Sequence, residues 1–228
     1  MFVCASPVAG LADRCRGSVV DMTGDDIDPS ETPLEEWLDR LAQAHGAPGG
    51  GAASGVMTAI SAALLGMVAG YTADDSEARG AGQRLRSIRR AATEAAEEDG
   101  VRSAAFGAAL GMDEGPQREQ AVRQATVEAI ASSLAIGRIG APLVEEARLL
   151  SRIGNPHVKA DLRVAVEALR GGLEGASVTA RSNLDLLARH RSPDDGLDAQ
   201  VAGFEHDIGD LAQKRAECDR IAADCRAG

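Results

Sequence analysis

Aromatic residues and lysine are almost missing from this chain. Aromatic side chains make up 2% of its 228 residues, and the only lysines are Lys159 and Lys214. Strands are rich in β-branched and aromatic residues, and the chain offers few runs of that kind. The core must come from Ala, Leu, Val and Ile, with Gly allowing close backbone approach. We therefore predict an all-α fold, a bundle of long antiparallel helices.

The acidic balance of the chain excludes one broad class of function. Lys and Arg number 24 against 35 Asp and Glu, which gives a formal net charge of −11. A general nucleic-acid binder needs a basic face that displaces counterions from phosphates, so we expect no nucleic-acid partner. A small anionic ligand stays possible, because a local pocket can be basic on an acidic protein.

The four cysteines lie near the two ends of the chain and form no CxxC pair. This spacing predicts free thiols in a reducing compartment and no metal site. No basic segment followed by a long apolar run opens the sequence, so we expect no signal peptide and a cytoplasmic protein. The apolar run 56–71 is shorter than the roughly 20 residues of a membrane span, so we interpret it as a buried core helix. The cysteines are Cys4, Cys15, Cys218 and Cys225.

Turn residues and apolar periodicity divide the chain into a tail and one helical domain. Residues 1–30 mix Gly, Pro, Ser and Asp without periodicity and are predicted to be a flexible tail, and residues 31–228 a single helical domain. Pro142 marks a break between two helices, and residues 154–156 a stop. The predicted helices cover about 33–41, 53–71, 84–110, 117–135, 143–153, 159–187 and 198–226, and residues 74–82 are either a polar connection or the start of the third of these helices.

A run of three glycines, Gly49 to Gly51, follows Pro48 at the start of the second long helix. Unpartnered amides at a helix N-terminus attract anions, so this run is a candidate ligand cradle. A tight turn with close helix packing explains it equally simply. The spacing is neither GxGxxG nor GxxxxGK[ST], and on spacing alone we favour the turn.

Three stretches together resemble one family. Pro48-Gly49-Gly50-Gly51 opens a small-residue helix, Gly154-Asn155-Pro156-His157-Val158-Lys159-Ala160-Asp161 follows later, and Thr179-Ala180-Arg181-Ser182-Asn183-Leu184 comes third. In order and spacing they are similar to motifs of the cyclodeaminase/cyclohydrolase family, over residues 33 to 190. That family includes bacterial methenyltetrahydrofolate cyclohydrolases and the C-terminal domain of formiminotransferase-cyclodeaminase.

The resemblance implies a tetrahydrofolate derivative as substrate, no further cofactor and a homodimer. A cyclohydrolase adds water to the methenyl carbon and opens the ring to a formyl product. A cyclodeaminase closes a formimino group onto N10 and expels ammonia. We favour the cyclohydrolase, since no formiminotransferase domain accompanies the helical part, and keep the cyclodeaminase as the second activity of the same family.

The family match assigns the catalytic role to Asp161, in the first turn of a helix. A carboxylate near the one-carbon unit activates water or shuttles a proton. His157, four residues earlier, is the second candidate, because an imidazole can act as acid or base. An ordinary first-turn aspartate and a surface histidine are the competing interpretations. Asp99 is a further carboxylate, but it follows Glu97 and Glu98, which favours a solvated acidic face.

The expected substrate-binding residues fall into three groups. The glycine run supplies backbone amides, arginine or lysine contacts the glutamate carboxylates of folate, and asparagine hydrogen-bonds the pterin edge. For Asn183, inside a helix rich in small residues, an interhelical hydrogen bond is the alternative. Arg84 and His45 are weaker candidates for contacts of this kind. If the site is real, Asp161 lies near the glycine run, within a subunit or across a symmetric contact. The expected binding residues are Pro48, Gly49, Gly50, Gly51, Asn155, Lys159, Arg181 and Asn183.

Some positions depart from the family pattern. Ala52, Ala160 and Thr179 stand where the family usually has polar residues, and Ser103 where it has Phe. These departures favour a second hypothesis, in which the chain keeps the scaffold as a catalytically degraded folate-binding or protein-interaction module.

Overall fold

Helices account for nearly all of the structure, a computed structural model that describes residues 32–44, 46–192 and 195–227. The predicted tail at 1–30, together with Cys4, Cys15 and His45, lies outside these residues. No strand occurs within the described ranges, which confirms the all-α prediction. The helices are α1 Leu34–Leu41, α2 Gly50–Gly70, α3 Ser76–Leu110, α4 Pro116–Gly140, α5 Leu143–Ile153, α6 Lys159–His190 and α7 Asp198–Ala227, with a 3-10 turn at Pro156–Val158.

Helix α2 begins earlier than the sequence predicted, and α3 begins inside residues 74–82, which the sequence left open as a polar connection or a helix start. Gly50 and Gly51 form the first turn of α2 instead of a preceding loop. Helix α3 begins at Ser76, because the Asp75 carboxylate accepts hydrogen bonds from the N–H groups of Glu77 at 2.7 Å and Ala78 at 3.1 Å. Such a cap satisfies amides that lack intrahelical partners and fixes the helix start.

The break between α4 and α5 and the end of α5 lie where the sequence placed them. Gly140 ends α4, and Pro142 precedes α5. Gly154 is extended, with φ at −64°, so no left-handed cap is formed there. A Cβ at this position would collide with the Leu150 carbonyl oxygen. Close packing at the end of α5, and not backbone freedom, therefore requires this glycine.

Helix α2 packs between α3 and α6 and runs antiparallel to both. Gly51 at its start meets Asp99 in the second half of α3, and Gly82 near the start of α3 lies beside Ala69. Glycine allows the close approach of α6 as well, since a Cβ at Gly172 would lie 2.5 Å from Thr58 Oγ1. Helix α4 completes a four-helix core, and α7 packs outside α6. Fully buried core residues include Leu65, Leu85, Ile130, Leu134, Leu169 and Leu173.

The outer side of α2 and α6 is apolar and faces away from the rest of the bundle. Along α2 a large apolar residue that is exposed or half-buried recurs every three or four positions. This is the spacing with which one helix packs on another. Helix α6 adds Val164 and Val178, each more than half exposed. We call this surface the α2–α6 face. It contains Met57, Ile60, Leu64 and Met67 of α2 and Tyr71 directly after that helix.

Two helical stretches satisfy the length and composition of a membrane span, Gly50–Gly70 and Pro116–Ile153. Half of each apolar window is buried inside the bundle, as in the core helix of a soluble protein. One or two helices of this kind are weak evidence for a membrane location. The break at Pro142 also divides the second stretch into two helices.

Candidate functional site

The first turn of α2 lies against a buried carboxylate from α3. Asp99 is only 4% exposed. Its carboxylate occupies the space that a Cβ on Gly51 would need. The Ser132 hydroxyl of α4 donates to Asp99 Oδ1 at 3.1 Å. Asp99 therefore holds the first turn of α2 against α3 and α4. Its neighbours Glu97 and Glu98 had suggested that this aspartate lies on a solvated acidic face.

Burial controls the ionisation of this aspartate. Desolvation raises the pKa of Asp99 above its ordinary value, while hydrogen bonds from Ser132, the Ala52 backbone N–H and Ser103 partly oppose the rise. The Ala52 N–H belongs to the amides that open α2 and have no partner within their own helix. An internal carboxylate thus already occupies part of the anion-attracting end of α2. Close packing, the interpretation favoured from spacing, explains Gly51.

Helix α6 brings two of the matched residues to the same end. Thr179 Oγ1 would lie 3.8 Å from a Cβ on Gly50 and donates to the Gly175 carbonyl at 2.8 Å. Asn183 follows one turn later and is half-buried, and within the described part of the chain its side chain has no hydrogen-bond partner. The interhelical hydrogen bond that the sequence allowed as an alternative is therefore not formed by the described residues. Arg181 is exposed on the neighbouring side.

Helix α1 covers this end of α2 with the single tryptophan of the chain. Trp37 is 4% exposed and packs against Ala52, with Leu41, Ala53 and Val56 around them. Its indole Nε1 is buried without a hydrogen-bond partner. Pro48 is buried, Gly49 half-buried and Gly50 exposed. We refer to Pro48–Gly51 with Trp37, Asp99, Thr179 and Asn183 as the glycine end.

The opposite end of α2 meets the second matched motif. Asn155 bridges the two segments: its backbone N–H donates to Thr72 Oγ1 at 3.0 Å, and its Nδ2 donates to the Tyr71 carbonyl at 3.2 Å. Its Oδ1 accepts from the His157 N–H at 3.0 Å. Asn155 thus fixes the turn, which leaves His157 exposed and starts α6 so that Asp161, half-buried, follows in its first turn. We call residues 155–161 with Tyr71 and Thr72 the asparagine end.

Two residues that were expected to contact folate carboxylates, Lys159 and Arg84, interact with other groups of the protein. Lys159 lies on the α7 side of α6, where it and Arg163 act on Cys225: burial raises the pKa of that thiol and the two cations oppose the rise. Arg84 forms a bidentate ion pair with Glu146, at 2.5 Å from Nε and 2.9 Å from Nη2. The guanidinium of Arg84 is therefore already engaged by a carboxylate of the protein itself.

Within one chain the two ends lie far apart. Thr179 is beside Gly50, and Asp161 lies 18 residues earlier on the same helix, which corresponds to about 27 Å along its axis. The structure therefore does not bring Asp161 to Gly49–Gly51 in a single chain. Both ends do lie along α2 and α6, the helices that form the α2–α6 face.

The departures from the family pattern fall mainly at the glycine end. The Ser103 side chain hydrogen-bonds Asp99, whereas Ala52 contributes only its backbone N–H, which any residue except proline would supply. Ala160 is exposed in the first turn of α6. In the ranges that the structure describes, no group of three or more His, Cys, Asp or Glu side chains is placed to hold a metal ion.

Comparison with known proteins identifies the family. The sequence model of formiminotransferase-cyclodeaminase matches residues 33–192, and the chain belongs to this family. A methenyltetrahydrofolate cyclohydrolase of Methylorubrum extorquens is 28% identical over 162 residues, which cover 66% of this chain and 78% of the relative. The crystal structure of a formiminotetrahydrofolate cyclodeaminase from Thermotoga maritima superposes with a TM-score of 0.71 at 20% identity, over 87% of this chain and 96% of that one. The resemblance drawn from the three motifs is confirmed.

Proposed function

We propose that this chain is a folate one-carbon enzyme that hydrolyses methenyltetrahydrofolate to formyltetrahydrofolate. The observation that carries the proposal is the placement of the matched motifs: Pro48–Gly51 and Asn155–Asp161 stand at opposite ends of α2, along one exposed apolar face. The relative from Methylorubrum extorquens, named a methenyltetrahydrofolate cyclohydrolase, supports this choice of reaction. Besides the folate substrate and water, we propose no further cofactor.

The active form we propose is a homodimer built on the α2–α6 face. A twofold axis across this face sets α2 of one copy antiparallel to α2 of the other, and each glycine end then meets the asparagine end of the partner. The three- and four-residue spacing of Met57, Ile60, Leu64 and Met67 suits such helix packing. The dimer would contain two composite sites, which accounts for the separation of Asp161 from Gly51 within one chain.

In the composite site Asp161 and His157 carry out proton transfer. Water adds to the cationic methenyl carbon and loses one proton, which leaves a hydroxyl. That hydroxyl gives up its proton as the bond from carbon to one nitrogen breaks, and the nitrogen takes up a proton, so the reaction releases one proton overall. A positioned carboxylate or imidazole contributes about 10²–10⁴-fold to steps of this kind. Asn183 at the glycine end, half-buried without a hydrogen-bond partner among the described residues, would bond the pterin edge.

Absorbance of methenyltetrahydrofolate tests the reaction directly. The wild-type protein is expected to remove the substrate faster than buffer, and Asp161→Asn to lose at least about 10²-fold in rate. Asp185→Asn, at an exposed position on α6, is the matched control and is expected to keep wild-type activity. Ammonia release from formiminotetrahydrofolate, with no hydrolysis of the methenyl compound, would instead establish the cyclodeaminase.

A mixing experiment tests the composite site. Asp161→Asn and Asn183→Ala, each nearly inactive alone, are unfolded together and refolded. If each site takes Asp161 from one copy and Asn183 from the other, mixed dimers contain one intact site, and about a quarter of wild-type activity returns. If mixing restores nothing while mixed dimers form, the two residues do not share a site across the interface.

The second candidate function is a non-catalytic folate-binding or interaction module. The carboxylate of Asp99 at the start of α2 and the alanines at positions 52 and 160 favour it. Calorimetric titration with tetrahydrofolate separates the two. Tight binding without turnover supports the module, and turnover that depends on Asp161 rejects it. For either function we propose a cytoplasmic protein without nucleic-acid or membrane partners.

A further inference from the structure

Helix α1 buries only half of its apolar stripe against the rest of the chain. Trp37 is 4% exposed and half-buried Leu41 packs beside it, whereas Leu34 is 67% and Leu38 48% exposed. The four side chains have the spacing i, i+3, i+4, i+7 of a single apolar helix face, which in a folded protein packs against another element. Leu34 and Leu38 therefore form the half of that face which the described residues leave uncovered.

The attachment of α1 to its own chain is small. Within α1, Trp37 is the one buried residue. It forms with Ala52 a hydrophobic cluster apart from the main core, surrounded by Leu41, Ala53 and Val56. Its indole Nε1 is buried without a hydrogen-bond partner among the described residues, and a buried unpaired donor opposes folding. Packing within one chain thus accounts for only part of what positions α1.

Helix α1 lies over one end of the α2–α6 face. It packs on Ala53 and Val56, which precede Ile60 and Leu64 at the same three- and four-residue spacing. One apolar stripe of α2 therefore passes beneath α1 in its first two turns and is open beyond them. The uncovered leucines of α1 consequently adjoin the surface that we propose as the dimer interface.

The proposed twofold dimer fixes which part of the partner lies opposite α1. Two antiparallel copies of α2, centred midway along the stripe 57–67, place residue 60 of one copy opposite residue 64 of the other. In the same register, position 53 faces position 71. Because α1 packs on Ala53, it meets Tyr71 of the partner subunit, a side chain that is 60% exposed in the single chain.

We propose that Leu34 and Leu38 pack against Tyr71 of the partner subunit, so that α1 forms an outer wall of each composite site. The inference rests on the proposed function and adds an interaction surface outside α2 and α6. A tyrosine ring packs well on leucine while its hydroxyl stays in water. The Tyr71 carbonyl accepts a hydrogen bond from Asn155 Nδ2 at 3.2 Å. The contact therefore joins the glycine end of one copy to the asparagine end of the other.

Disulfide trapping tests the contact directly. Leu38→Cys combined with Tyr71→Cys, in a chain that carries Cys4→Ser and Cys15→Ser, is expected to form a covalent dimer on mild oxidation. Within one chain, position 71 lies 18 residues beyond Ala53, about 27 Å along α2, whereas a disulfide needs Cα atoms within about 7 Å. A bond between the two introduced thiols, identified by peptide mapping, therefore joins two copies.

Matched variants control for random collisions. Leu38→Cys alone and Tyr71→Cys alone should give no covalent dimer. The same holds for Leu38→Cys combined with Val101→Cys, because Val101 is 45% exposed on α3, away from the α2–α6 face.

A double-mutant cycle on dimer dissociation gives a second measurement without introduced thiols. Leu38→Ala and Tyr71→Ala should each raise the dissociation constant about tenfold, as truncated interface residues commonly do. If the two side chains touch, the combined variant should be weakened clearly less than the product of the single effects. Leu38→Ala combined with Ile60→Ala, at the centre of the face, is the control, and its effects should multiply. Circular dichroism shows whether each variant keeps its helices.

Failure of this inference is distinguishable from failure of the proposed function. A wild-type dimer that hydrolyses methenyltetrahydrofolate but shows no cross-link between positions 38 and 71, or multiplicative effects of the two alanine substitutions, overturns the contact and leaves the proposed function standing. A wild type that stays monomeric rejects the proposed dimer and the contact together. Cross-linking in a protein whose wild type neither binds nor hydrolyses folate supports the contact and rejects the proposed function.

Discussion

The Asp99 carboxylate lies where the side chain of any residue other than glycine at position 51 would have to be. Two residues 48 positions apart thus determine how closely α2 and α3 approach at the glycine end. The contact also couples the start of α2 to α4, because Ser132 donates to the same carboxylate. The first predictions follow from this pair.

Gly51→Ala is expected to destabilise the protein by about 1–3 kcal/mol, since a buried methyl group must displace the Asp99 carboxylate. Urea unfolding monitored by circular dichroism measures the change. Gly66→Ala, in the same helix but with open space around its Cβ, should instead stabilise by up to about 1 kcal/mol through helix propensity. If the collision is the cause, Gly51→Ala lowers the free energy of unfolding clearly less when Asp99 is also replaced by Ala. An equal cost in both backgrounds would contradict this explanation.

Replacing Asp99 with Asn is expected to change how stability depends on pH. Burial raises the pKa of Asp99 in the folded state above the ordinary value of 3.8. Between these two pKa values the folded state binds more protons than the unfolded state, so the contribution of Asp99 to stability falls as pH rises from about 4. It stays low above the folded pKa. Stability of the wild type relative to Asp99→Asn should therefore decrease over this range, and a relative increase would show that the carboxylate is stabilised as an anion.

Ile60→Asp is expected to prevent dimer formation while leaving the fold intact. Ile60 is 47% exposed at the centre of the α2–α6 face, and a charge buried in an interface without a partner strongly opposes association. Light scattering should report twice the chain mass of 23.5 kDa for the wild type and a single chain mass for the variant. Val101→Asp, at a residue 45% exposed on α3, is the matched control and should remain dimeric. A monomeric wild type would reject the proposed dimer.

The Cys218 thiol is expected to resist alkylation in the native protein. Burial is the main cause that raises its pKa to about 12, and nearby Asp219 and Glu217 add to the rise. The reactive thiolate is therefore scarce at neutral pH as well as shielded. Peptide mapping after iodoacetamide treatment should find Cys218 modified only after unfolding. Rapid native labelling at this position would show that α7 detaches readily from α6.

Local patterns in the sequence were sufficient to predict the helices, but they did not predict where every helix begins and ends. The apolar periodicity and Pro142 predicted α5 over 143–153, and the structure agrees. The sequence left residues 74–82 open between a polar connection and a helix start, because the capping function of Asp75 was not recognised among several polar residues. The start of α2 was missed because glycine has low helix propensity, and here tertiary packing overrides it.

The sequence misjudged residues whose role depends on distant partners. Asp99 follows two glutamates and therefore resembled part of a solvated face, yet the helix turns it inward beneath Gly51. Asn155 was expected at the pterin, which stays a prediction, and the structure adds that its polar groups hold Tyr71, Thr72 and His157. Arg84 was a candidate for folate carboxylates, and Glu146 already binds it. In each case the decisive partner lies far away in the sequence or on another helix.

By itself the sequence determined the helical class, the order of the helices and, through three spaced motifs, the family. These properties depend on local periodicity, capping and residue identity, which are visible along the chain. Only the tertiary structure decided which glycines serve packing, which carboxylate is buried, and that Asp161 lies about 27 Å along α6 from Thr179, the residue beside Gly50. Those properties depend on contacts between residues far apart in the chain, and such contacts exist only once the helices pack together.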